Sequence, residues 1–142
     1  MLDDRVTFKV APLPAIALLK LIAWSDDRRR RTNDAADVCN LMRKYVDVLG
    51  LKFYTAHNDI VDDPDFDEDV GSARALGRDL GTIIVDSPEV AAKVMHVLKE
   101  QTKDPRESQF TIDMGDRCYP DYAMRFACLK GFLVGVSESL DE

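Results

Sequence analysis

From Leu13 to Trp24 the chain runs through twelve residues of which only Lys20 is charged. A helix that is apolar nearly all round is buried, and an unpaired ammonium inside it costs several kcal/mol or gives up its charge. The run Pro14–Trp24 therefore has to be a core element, and some other part of the chain has to meet Lys20. The next apolar-periodic stretch offers Asp34 and Asp37, with Arg28 in the turn between.

The rest of the composition agrees with a core of that kind. A chain of 142 residues is one ordinary domain, and 46% hydrophobic with 32% charged residues is a globular balance. The apolar run is too short to span a bilayer, and MLDDRVTFKV has early acids and no apolar leader segment, so no membrane association is expected and the cytoplasm is the expected location. Cys39, Cys118 and Cys128 are an odd count without metal-ligand spacing and read as free thiols, Cys39 and Cys128 on core faces. A net charge of −7 argues against a general nucleic-acid surface, and the basic block 28–31 is answered by Asp26, Asp27, Asp34 and Asp37.

Periodicity predicts a single, mainly α domain of about five helices with one or two short strands. Residues Arg5–Val10 alternate as a strand, and Gln109–Asp113 is a second candidate. The first helix ends near Trp24. The second is capped by Thr32 or Asn33, carries Val38, Leu41, Met42, Tyr45, Val48 and Leu49 on one face, and stops at Gly50. Extending that face backwards puts Asp34 and Asp37 on the core side, near a helix start that favours negative charge. A short helix over Leu51–Ile60 leads into an acidic loop, and a long helix follows from Asp67 to Ile84. Ala73, Gly77 and Gly81 make a small-residue groove on it, expected to take the last helix. Ser87-Pro88-Glu89 starts a helix to about Lys103, and the last helix spans roughly Pro120–Ser139.

Several patterns point to chemistry. Asp63, Asp65, Asp67 and Asp69 alternate as in a calcium loop, but the required glycine is missing and Arg74 stands where a bidentate acid belongs, so a solvated helix-capping loop is the reading. His57 and His96 have no ligands at metal spacing and read as surface residues. Gly71-Ser72-Ala73-Arg74, with Asp79 and Asp86 downstream, is similar to the glycine-serine and Asp-x-Asp signature of nucleotidyltransferases, where two carboxylates on one strand hold Mg²⁺. The second carboxylate position is here Gly81. The group Lys20, Arg28, Asp34 and Asp37 has two readings. It is a buried ion network fixing the first two helices, or Lys20 and Arg28 contact phosphates while the acids hold the lysine stem.

The run VAPLPAIALLKLIAW, the arginine-rich turn, NDAADVCNLMRKY, GSARALGRDLGTI and GFLVGVSES together resemble the helical C-terminal region of predicted bacterial nucleotidyltransferases, including the related abortive-infection toxins. The resemblance covers nearly the whole chain. It implies that Lys20, Arg28, Asp34 and Asp37, with Arg78 and Asp79, are the nucleotide- or phosphate-facing positions, and that the family's metal-binding carboxylates would lie in a catalytic core N-terminal to this region. The expectation is a helical domain that is non-catalytic alone, with no catalytic or metal residue and no cofactor of its own. Mg-NTP would enter only with a complementary nucleotidyltransferase core. A stand-alone interaction protein with a purely structural charge network is the alternative, and a minimal transferase using Asp79 and Asp86 is a third. A homodimer is expected because an orphaned strand Arg5–Val10 exposes unpaired backbone groups.

Overall fold

The computed structural model of the chain describes residues 12–141, and among them every regular element is helical. The predicted strand Arg5–Val10 lies outside the described residues.

Pro12, in an extended conformation, leads into α1 (Leu13–Asp26), where Pro14 occupies the first turn without losing a needed donor. Pro14, Ala17, Leu21 and Trp24 form its buried stripe. The indole Nε1 of Trp24 donates to Asp113 at 2.9 Å, and its ring meets Phe110 edge-on at 4.8 Å. The opposite side of α1 is apolar too, and Leu19 is 64% exposed there.

Helix α2 (Thr32–Leu49) begins one residue earlier than its expected caps: Arg31 holds the N-cap place without a side-chain cap, and Thr32 is already helical. Its end is as expected. Gly50 adopts φ +56°, a conformation that other residues reach only with strain, and turns the chain into α3 (Leu51–Ala56) and α4 (Asn58–Val61). Helix α5 (Glu68–Ile84) is capped by Asp67, whose carboxylate accepts the Val70 amide at 3.0 Å. Thus the acidic loop does cap a helix.

Glycines govern the closest packing in the molecule. A Cβ on Gly77 would land on the carbonyl oxygen of Phe132, and one on Gly135 would land on that of Arg74. Gly81 faces Ser139 and Val136, and Gly131 faces Val70, with hypothetical Cβ contacts of 2.7 to 3.0 Å. Each helix therefore brings two glycines four residues apart, and the backbones of α5 and α8 (Tyr122–Leu140) touch. The groove on α5 does receive the last helix. Ser72 ties α5 to α2 as well: its hydroxyl donates to Met42 O at 2.5 Å and accepts from Val46 N at 2.9 Å, inserting into the ladder of α2.

Helix α6 (Pro88–Thr102) starts at the predicted Ser-Pro-Glu, though Ser87 contributes its backbone carbonyl and no side-chain cap. After a short turn of 3-10 helix (Pro105–Glu107), the second predicted strand is instead α7 (Gln109–Met114). Ser108 caps it by accepting the Thr111 amide, Gln101 accepts the Phe110 amide at 2.9 Å, and Gly115 at φ +74° ends it. Six residues are too few to show a period, and burying Phe110, Thr111 and Met114 on one side decides against the β-propensity of the run. Pairing of the N-terminal strand with this segment is accordingly not available. No described helix is long and apolar enough to cross a membrane.

Candidate functional site

The six residues singled out as nucleotide- or phosphate-facing fall into three separate places. Lys20 reaches across from α1 to the first turns of α2, with Nζ 2.9 Å from Asp37 Oδ2 and 3.6 Å from Asp34 Oδ1. Arg31 forks onto the same Asp34 at 2.7 and 3.4 Å. The Asp34 side chain is buried at 6% exposure, whereas Lys20 keeps 34% and Asp37 47%. The expectation of a buried ammonium is corrected in this respect: the stem lies along the apolar helix and the head emerges at the α1–α2 edge. The hydrogen bond and charge of Asp37 raise the lysine pKa, desolvation opposes them, and Asp34 adds to the rise. Two cations and two carboxylates leave this edge electrically balanced, and Arg29 and Arg30 lie exposed on the turn beside it.

Arg28 does not join them. Its guanidinium lies 4.6 Å over the Trp24 ring and bonds Glu100 of α6 at 2.7 Å, holding that carboxyl below its ordinary pKa.

Arg78 and Asp79 stand on α5, about three helical turns along α2 from Asp34 through the Tyr45 contact. Arg78 bonds Asp59 through both terminal nitrogens, at 2.8 and 2.5 Å, and Glu138 at 2.8 and 3.2 Å. Arg74, one turn earlier, forks onto Glu138 at 2.7 and 2.8 Å. Those hydrogen bonds pull Asp59 and Glu138 down to about 2. Asp79 accepts from the Tyr45 hydroxyl and lies 3.8 Å from His57 Nε2, while His57 Nδ1 is 3.4 Å from Arg78. His57 is thus buried, against the surface reading, and burial depresses its pKa. His96 is exposed as expected.

Sequence reasoning did not find Asp59, Arg74 or Glu138 as partners of Arg78. One signal was present: Arg74 and Arg78 sit one turn apart along the edge of the glycine groove, where the side chains of the docked helix must meet them. Gly71 and Ser72 lie inside α5, with the serine committed to α2, and so form no phosphate loop. Asp79 is helical and Asp86 is exposed beyond the end of α5, so the two do not share a strand. Among the described residues no group of three His, Cys, Asp or Glu side chains is arranged to hold a metal ion.

Comparisons with protein families, with curated proteins and with solved structures found no match.

Proposed function

We propose that this chain is a helical domain of the nucleotidyltransferase type, non-catalytic alone, that offers its α1–α2 edge to the phosphates of a nucleotide. The metal-binding carboxylates come from a complementary core. The observation that carries the reading is Lys20: an ammonium held at the edge of an apolar helix by one buried and one half-exposed carboxylate. Asp34 and the stem packing fix its position, and a phosphate oxygen can replace the exposed Asp37 with a bond of similar strength. Arg29 and Arg30 supply positive potential on the same turn. Arg28, Arg78 and Asp79 are outside this proposal, since carboxylates or a tyrosine already occupy them at other places. The domain belongs in the cytoplasm on this reading, with its thiols reduced at rest.

A thermal-shift titration with MgATP and MgGTP tests the proposal. Ligand at 100 times its Kd adds about 2.7 kcal/mol of stability. Lys20→Met is expected to abolish that gain and leave the unliganded midpoint nearly unchanged. No gain in the parent, or a gain that survives Lys20→Met, would remove the proposal.

A second reading has its own support. Every charge in the Lys20 cluster already has a partner, as a structural network requires, and the outer side of α1 carries Leu19 with Ile16, Ile22 and Ala23 only partly covered. On that reading the chain is a small interaction protein whose α1 pairs with α1 of a second copy, an isologous contact that one apolar stripe can make with itself.

A further inference from the structure

The three cysteines take no part in either reading, yet the fold brings them together. Cys39 lies on α2, Cys118 on the connection 115–121 and Cys128 on α8; all are free and buried. Cys39 and Arg43 stand one turn apart on one face of α2. Both reach Cys118: Arg43 Nη1 donates to its carbonyl oxygen at 3.4 Å, and the two thiols are in side-chain hydrogen-bond contact. Cys128 is engaged elsewhere, with the Met124 sulfur at 3.9 Å and the Tyr119 phenol.

Arg43 and Asp69 also line a cleft of about 450 Å³, together with Asn40, Lys44 and Glu68. From its two walls they hold the Cys118–Tyr119 segment, Asp69 by accepting the Tyr119 hydroxyl at 3.1 Å. A second cation lies close to Cys39: Arg125 is buried, has no carboxylate partner among the described residues, and leaves its Nε without a hydrogen bond.

We propose that Cys39 and Cys118 are an oxidation site, a thiol pair that closes into a disulfide when a small hydroperoxide reaches Cys118 by way of the Arg43–Asp69 cleft. The two sulfurs are suited to different steps. The hydrogen bond from Cys39, with help from Arg43, favours the thiolate on Cys118 against the opposing effect of burial. That same contact, together with burial, pushes Cys39 up. Burial takes Cys128 up to about 12, which leaves it unreactive. In the first step the Cys118 sulfur attacks a peroxide oxygen; the O–O bond breaks, the leaving oxygen takes a proton, and a sulfenic acid remains. In the second the Cys39 sulfur attacks Cys118; the S–O bond breaks and water leaves with the Cys39 proton. The thiols lose two electrons and two protons, and hydrogen peroxide becomes two waters. The resulting bond staples α2 to the segment that leads into α8.

The test uses the reduced full chain and hydrogen peroxide, followed by alkylation in denaturant and peptide mapping. The expected product has lost two hydrogens, joins the Cys39 and Cys118 peptides, and leaves Cys128 fully alkylated. A Cys39→Ser variant should stop at the sulfenic acid and be trapped by dimedone on Cys118 alone, with circular dichroism verifying its fold. Three alkylatable thiols in the parent after exposure, or Cys128 in the cross-link, would overturn the proposal. So would dimedone on Cys128 rather than Cys118. A dithiol should return the oxidised parent to its starting mass; irreversible oxidation would count against the pair.

Discussion

Asp34, rather than Lys20, is the residue on which the α1–α2 edge depends, because it is buried and serves two cations. Replacing it by leucine strips Arg31 and Lys20 of a partner at once. A loss of about 1–3 kcal/mol is expected, towards the low end because both cations can rehydrate. Lys20→Met should change stability by less than about 1 kcal/mol, since a pair this exposed is worth little and methionine keeps the stem's volume. Urea titrations of the two variants check the order. Around Arg78 the observable is pH dependence. Asp59 and Glu138 titrate at about 2 in the folded chain, below their ordinary values, so the unfolded chain binds more protons and stability falls as pH drops from the carboxylate range towards 2. His57 has a lowered pKa in an environment shared with Arg78, Asp79, Asp59 and Glu138. The unfolded chain again protonates first, and this contribution is lost as pH falls below about 6.5. Arg78→Met is expected to flatten the carboxylate part of an acid-unfolding curve, and His57→Gln the higher part. An unchanged curve for Arg78→Met would mean that the two carboxylates owe their low values to other groups.

At the scale of elements, the crossing of α5 and α8 is the least forgiving feature. A methyl group on Gly77 meets backbone, which cannot rotate away as a side chain can. Gly77→Ala is therefore expected to destabilise by about 3 kcal/mol or more, beyond the range usual for overpacking. Alanine at an ordinary helical glycine would instead stabilise by up to about 1 kcal/mol. Thermal unfolding of the variant decides between these opposite signs. The same crossing aligns Glu138 with Arg74 and Arg78, so a shift of the helices would loosen that network as well. Helix α7 teaches a different lesson about elements. Its β-forming residues read as a strand locally, and only the partners of Phe110, Gln101 and Trp24 among them, make it a helix.

For the whole molecule, the outer side of α1 is where a second copy fits best. Light scattering at micromolar concentration is expected to give a dimer for the parent and a monomer for Leu19→Asp, which puts a charge at the centre of the exposed stripe. A monomeric parent would leave that stripe unexplained by self-association. Much of the architecture was legible beforehand because it rests on periods and stop signals: the apolar run of α1, the stripe of α2 with Gly50, Asp67 before α5, Ser-Pro-Glu before α6, and the small-residue groove. Charge partners were legible only where they lie close in sequence or on adjacent helices, as Lys20 does with Asp34 and Asp37. Arg28 with Glu100, Arg78 with Asp59 and Glu138, and Cys39 with Cys118 were not, for a common reason. Helical periodicity tells which side of an element faces inward, whereas the crossing of two helices selects which residue on that side meets which, and this crossing is set by close packing of the entire core.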